Sequence, residues 1–404
     1  RLTEIAMSGI RCRARAVTLA SILLICVQLA VRPAHARDES PCTTGLLPGG
    51  AQYTIVAPQG WTPAAGELLI LAPGYTFPGE QAEVPTVDED VFLTLSAFGF
   101  AVAGVTYRKS GLAVKQGAED LEELLAFFTG DPLQCGYGRA NRIWLIGGSE
   151  GGLVAALVGE RHAQRPDPLV DGVLAGCAPV GDFRRQLDYI IDFRVVFDAL
   201  FPGVIPGSAL DVPPEVGAEW DTVHVPRIRE LIAADPARVE GLLRITGAAY
   251  VPEDPSTIEE TVLALLEYGV RATNDALFTL GGSPYDNLAR VYAGSGDPAL
   301  DVAVNAAVVR HAADPIALAE LEAFYTTNGN VARADEGGSD VPVVLLHTES
   351  DPIVPFWHAQ QYQEKVLAAG AQEKHASFPV ARYGHCTFDP MEVFTALFTL
   401  MMLR

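Results

Sequence analysis

The 404-residue sequence predicts an α/β protein: a mostly parallel sheet flanked by helices and interrupted by a large helical insertion. Three observations predict it. Short apolar runs alternate with helix-period segments from residue 52 to about 180, and the same alternation resumes at 341. Between them, helical patterns cut by Pro and Gly contain no convincing strand. Strands separated by helices run parallel, with helices covering both faces.

Residues 1–36 have the makeup of an export signal. Arg11, Arg13 and Arg15 precede the apolar stretch 16–31, and Ala34-His35-Ala36 is a small-x-small cleavage site. A cleaved leader is expected, with a secreted or periplasmic product and no stable membrane insertion, because no later run is apolar enough to span a bilayer. Strands follow at 52–57, 68–72 and 100–106. Helix 116–129 carries the apolar stripe Leu121, Leu124, Leu125 and Phe128. In RIWLIGGSEGGLVAALVG (142–159), strand 143–146 runs through a glycine-rich turn into a helix over 153–158, which basic residues close at 161–165. Strand 172–175 completes this half.

The insertion spans 181–340 and divides an α/β domain made of 37–180 and 341–404. Its segment 182–201 is amphipathic, with Phe183, Leu187, Ile190, Ile191 and Phe197 on one side and Asp188 and Asp192 on the solvated side. Ser256-Thr257-Ile258-Glu259 reads as a capping box, and helices follow at 298–311 and 315–325. The sheet resumes with strands 341–347 and 376–380. The last helix opens with Asp389 as cap, Pro390 in its first turn and Glu392 at the capping-box position.

Charge and composition bound the partners. The 50 acidic and 28 basic residues give a net charge of −22, and residues 1–36 hold five Arg and one Glu, so the remainder is more acidic still. Such a surface repels nucleic acid and anionic membranes, leaving a small-molecule or polymeric substrate as the expected partner. H-E-x-x-H zinc spacing is missing, as is a G-x-G-x-x-G opening a helix after a strand, so no metal and no cofactor is expected.

The chemistry centres on Gly147-Gly148-Ser149-Glu150-Gly151. It fits the G-x-S-x-G elbow in the strand–turn–helix context which that motif requires. A serine hydroxyl needs a general base, and the base an orienting acid. Asp351 ends the buried strand of VPVVLLHTESDPIVP (341–355), and His385 lies on the loop of FPVARYGHCTFDP (378–390). Both follow strands and belong on the edge that presents Ser149. Asp182, in PVGDF, is the rival acid. His347 and His358 are the rival histidines, but neither follows the acid on a late loop.

On these residues the chain resembles the α/β-hydrolase superfamily of serine hydrolases, in its esterase/lipase and prolyl-oligopeptidase-like branches. LAPGY at 71–75 resembles the oxyanion loop of that superfamily, and TYRKSG at 106–111 is similar to the loop after its next strand. Ala72-Pro73 stands where His-Gly is common. The resemblance covers nearly all of residues 37–404 except the insertion. It implies the α/β-hydrolase fold, Ser149 as nucleophile, His385 as base and Asp351 as acid. It further implies an oxyanion hole formed by the backbone N–H groups of Tyr75 and Glu150. The Glu150 side chain is read as a helix N-terminal charge. The implied reaction is hydrolysis of an acyl bond, a carboxylic ester first and a peptide or amide second. A noncatalytic binding protein on this fold is the alternative class, and the intact order Ser, Asp, His argues against it. The insertion falls where the superfamily carries a lid. Its Tyr189, Phe193, Trp220, Tyr250, Phe278, Tyr285 and Tyr292 are pocket or core residues.

Four cysteines follow the leader: Cys42, Cys135, Cys177 and Cys386. Export makes disulfides the expectation, and strand edges select among the three connectivities. Cys177 and Cys386 each follow a strand, whereas Cys135 precedes one and sits about a strand length (~17 Å) away. A disulfide needs Cα atoms within about 7 Å. The expected pairs are Cys42–Cys135 and Cys177–Cys386.

Overall fold

The computed structural model describes residues 43–80, 90–131, 136–332 and 340–403. The expected leader and both partners of the Cys42–Cys135 pair lie outside them. One sheet contains β1 (Thr44–Leu46), β2 (Gln52–Val56), β3 (Glu67–Ala72), β4 (Ala101–Val105), β5 (Arg142–Gly148), β6 (Gly172–Gly176), β7 (Val343–Ser350) and β8 (His375–Tyr383). Its order is β1-β2-β4-β3-β5-β6-β7-β8. Only the β1–β2 and β2–β4 pairs are antiparallel. Leu68, Leu69 and Ile70 in β3 are all fully buried, as befits a central strand covered on both faces. β1 escapes the sequence reading because Thr-Gly-Leu is short, exposed and without alternation.

Helices α1 (Asp90–Ala97), α2 (Val114–Thr129) and α3 (Glu150–Ala163) follow the early strands. The insertion then supplies α4 (Phe183–Leu200), α5 (Pro214–Ala218), a π-helical turn over Trp220–His224, α6 (Val225–Ala234), α7 (Pro236–Thr246), α8 (Pro255–Arg271), α9 (Thr273–Leu280), α10 (Pro298–Ala307) and α11 (Pro315–Phe324). The chain returns through α12 (Trp357–Ala368) and α13 (Pro390–Met402). Among the described residues no helix is long and apolar enough to cross a membrane.

An Asp-Pro pair opens α7, α8, α10, α11 and α13. The aspartate serves as N-cap, and proline follows at the first helical position, where its missing N–H costs nothing. This corrects the capping box read at Ser256: the cap of α8 is Asp254, whose carboxylate accepts from the Ser256 amide. At α13 the box is formed as expected, with Asp389 and Glu392 each holding the other's backbone N–H. α10 stops at Ala307, short of the expected 311, because Val308 turns to extended backbone at ψ 136°.

The apolar core explains how the insertion attaches. One cluster joins the sheet, α2 and α3 with Ala276, Leu280, Ala317, Leu321 and Tyr325 from the insertion. A second is the insertion's own and includes Ile353 and Val354 from the loop after β7. The third packs α1 and α13 on the opposite face of the sheet. Asp188 and Asp192 are not on a solvated face. Both pair with Arg290, which crosses α4 from about 100 residues downstream, and Asp192 also accepts from the hydroxyls of Tyr285 (2.6 Å) and Tyr292 (2.7 Å). Tyr285 and Tyr292 are core residues, whereas Phe278 is 85 % exposed and outside the core.

Candidate active site

Ser149 sits between β5 and α3 with φ 54° and ψ −127°. A left-handed non-glycine residue stores roughly 1–3 kcal/mol of strain and persists only where its surroundings hold it. Here its amide donates to Gly176 O (2.8 Å) and its carbonyl accepts from the Gly152 amide (3.0 Å). The flanking glycines are present because there is no room for anything else. A Cβ on Gly147 would strike the Gly151 carbonyl, and one on Gly151 would strike the carbonyls of Ala72 and Pro73. Although Ser149 occupies the N-cap position, its side chain caps nothing. Its Oγ is left for another partner.

That partner is His385, whose Nε2 lies 2.9 Å from Ser149 Oγ. The His385 Nδ1 lies 2.7 Å from Asp351 Oδ2. Asp351 directly follows β7 and is 1 % exposed. Its Oδ1 accepts from the Ile353 and Val354 amides, each at 2.9 Å. His385 follows β8 on a loop that turns at Gly384, where φ is 110° and a Cβ would press on the Thr387 side chain. Thr348 Oγ1 donates to Gly384 O (2.6 Å), which ties the loop back to β7. The three residues expected from sequence therefore meet at the strand-end edge of the sheet.

Cys177 and Cys386 are joined in a disulfide with Cα atoms 5.4 Å apart, the pairing expected from the strand edges. Both have positive φ, 41° and 55°. The bond connects the end of β6 to the residue after His385. Cys177, Cys386 and His385 also bring their ligand atoms within 4.8 Å of one another, but the two sulfurs are bonded to each other and do not offer thiolates to a metal.

The two segments expected to supply the oxyanion donors lie next to the serine. Gly74, just before Tyr75, lies against the elbow: a Cβ there would come 3.7 Å from the Ser149 Cβ and 3.5 Å from Gly148 O. Glu150 is the first residue of α3, where the amide has no intrahelical acceptor. Its side chain does more than add charge to a helix terminus. It is buried, and its carboxylate accepts from the Ala113 amide at 2.8 Å. Ala113 is the N-cap of α2 and brings no capping side chain of its own. Burial pushes the Glu150 carboxyl up to about 8, against the opposing pull of the Ala113 amide and the Lys109 charge. Sequence reading missed this role because the two partners are 37 residues apart.

The rivals go elsewhere. Asp182 caps α4, accepting from the Arg185 amide at 3.0 Å. His347 and His358 are buried; His347 Nε2 bonds to Val354 O and stands 3.8 Å from Asp351 Oδ2, while His358 bonds to Gln186, and neither bonds to Ser149. The insertion reaches the site through α8: the Tyr268 ring packs on Tyr75 and Phe77, with centroids 5.6 and 5.2 Å apart. A polar cleft of about 530 Å³, lined by Asp182, Arg184, Asp188, Arg290 and Trp357 among others, opens beside the loop after Asp351, but none of Ser149, Asp351 and His385 lines it.

No protein-family model matches the chain, and no curated protein matches it. Solved structures do. Esterase B of Lactobacillus rhamnosis is 11 % identical, with 88 % of this chain and 79 % of that one covered, at a TM-score of 0.41. An esterase of Exiguobacterium antarcticum is 12 % identical over 89 % of this chain and 98 % of its own, at 0.39. Dipeptidyl peptidase 4 of Porphyromonas gingivalis is 12 % identical over 89 % of this chain and 34 % of its own, at 0.40. The sheet order, the elbow between β5 and α3 and the sequence order Ser149, Asp351, His385 are those of the α/β-hydrolase fold.

Proposed function

We propose that the chain is a serine hydrolase that cleaves a carboxylic ester through an acyl-enzyme on Ser149. The observation that carries the reading is the unbroken relay from Ser149 Oγ through His385 to Asp351, fed by a serine in strained backbone. Ser149 Oγ attacks the carbonyl carbon while His385 Nε2 takes its proton. Asp351 Oδ2, accepting from Nδ1–H, holds the tautomer and stabilises the imidazolium. The Tyr75 and Glu150 amides bind the oxyanion, with Glu150 at the positive end of α3. His385 returns the proton to the departing alcohol, and water then releases the acid by the same steps in reverse.

The ester reading is supported by the wall beside the oxyanion loop. Tyr75, Phe77 and Tyr268 pack on one another as an aromatic cluster, a surface suited to an apolar acyl or alcohol group, whereas an extended peptide would want backbone partners. Export is part of the proposal, supported by the Cys177–Cys386 bond, since such bonds persist in oxidising compartments. The insertion is proposed to govern access and substrate choice. Ser149→Ala is expected to keep the fold and lose activity by on the order of 10³-fold or more. A fluorophosphonate probe should label wild type on Ser149 and leave the variant unlabelled. Retention of more than about a tenth of wild-type turnover by purified S149A would sink the assignment. A matched panel of esters and amides reads the bond type.

A further inference from the structure

Three histidines surround the loop of Asp351, and only His385 faces Ser149. His347, buried in β7, donates from Nε2 to Val354 O at 2.8 Å. His358, in α12, accepts the Gly181 amide on Nδ1 at 3.0 Å. Its proton is therefore on Nε2, which donates to Gln186 Oε1 at 2.8 Å. That bond sets the orientation of the Gln186 amide, whose Nε2 donates to Ile353 O at 2.8 Å. One turn along α4, Tyr189 OH donates to Pro352 O at 2.7 Å. The three consecutive carbonyls 352, 353 and 354 each end on a buried side-chain donor, and two of the donors come from the insertion.

The protonation states suit these bonds. Burial holds His347 below the ordinary imidazole range despite the opposing charge of Asp351. Burial, reinforced by the charges of Arg185 and Lys365, holds His358 well below it. Burial and the Asp351 charge keep the Tyr189 phenol protonated. Asp351 cannot move independently of its loop, because its Oδ1 is occupied by the Ile353 and Val354 amides. Wherever the 352–354 backbone goes, the carboxylate follows.

We infer that Gln186 and Tyr189, with His358 behind Gln186, are positioning residues that hold Asp351 Oδ2 on His385 Nδ1. Spaced i, i+3, they share one face of α4, so α4 takes part in the reaction without touching substrate. The role rests on the proposed triad. Tyr189→Phe removes one oxygen and keeps the ring; Gln186→Leu removes both ends of the relay and keeps the bulk. On an ester substrate each variant should lose roughly 10- to 100-fold in kcat, the scale of a small misplacement of a reacting group, with KM within about twofold. The acidic limb of kcat/KM should move to lower pH, because a carboxylate held less closely stabilises the imidazolium less. Proton NMR supplies a readout independent of turnover. The downfield Nδ1–H resonance, identified by its loss in His385→Gln, should move upfield in both variants. That shift in a protein inert toward esters would support the positioning role while removing the hydrolase reading. Folded variants with unchanged kcat, limb and resonance would overturn the inference. So would a loss of activity with a lower Tm but an unmoved limb and resonance, since that is a structural role only.

Discussion

Glu150 shows how much one side chain can carry at this site. Its amide is a proposed oxyanion donor, and its side-chain Oε1 closes the N-terminus of α2. Its carboxyl stays protonated in the fold up to about 8 but ionises in the unfolded chain above roughly 4.3. The folded pKa is the raised one, so the stabilisation is complete below the unfolded value and is lost as pH rises through about 8. Asp171, pushed up to about 6, contributes in the same sense over the lower part of that window. Between about pH 6.5 and 8, Tm of Glu150→Gln should therefore fall less steeply than that of wild type, as calorimetry would show. Parallel falls would place the dependence on other groups. The three residues that meet at Ser149, the proposed triad, were legible because each lies in a local pattern: an elbow, a strand end before proline, a Gly-His loop. Asp188 and Asp192 were misread for the opposite reason. Their helix looks amphipathic in isolation, and nothing nearby in sequence announces Arg290.

At the scale of elements, the Cys177–Cys386 bond joins the end of β6 to the residue after His385. Both cysteines sit in left-handed backbone that the surrounding loops must hold. Reduction is expected to lower turnover before it lowers helix content, since the loop position is more sensitive than the sheet. Parallel measurement of ester hydrolysis and circular dichroism during reductant titration checks the order. Loss of ellipticity ahead of activity would refute it. Most strands were readable as apolar runs, and α13 from its Asp-Pro start and capping box. The short helices α5, α6, α7 and α9 were not, because each buries only part of a face against neighbours brought from elsewhere. The sheet order was not readable either, since β6 pairs with β7 across the whole insertion.

For the whole molecule, the insertion is fastened rather than hinged. α4 holds the loop after Asp351. In α8, Thr261 shares a hydrogen bond with Tyr383 OH (2.9 Å), two residues before His385. Asp275 in α9 accepts from the Leu112 amide (2.8 Å), while α9 and α11 contribute to the core of the sheet. Insertion and sheet should therefore melt as one cooperative unit, visible as a single calorimetric transition. Two resolved transitions would separate them. Hydrogen exchange with and without a bound inhibitor should show changes confined to the site's rim, not across α4 to α11. The sheet order has a further consequence for the nascent chain. Ser149 and His385 are 236 residues apart, and the nucleophile's neighbour β6 stays unpaired on one side until β7 has been synthesised. Closing so long a loop is slow and entropically costly. The proposed nucleophile is thus made 236 residues before the proposed base, so a nascent or truncated chain that ends before β8 carries the elbow without a histidine to activate it.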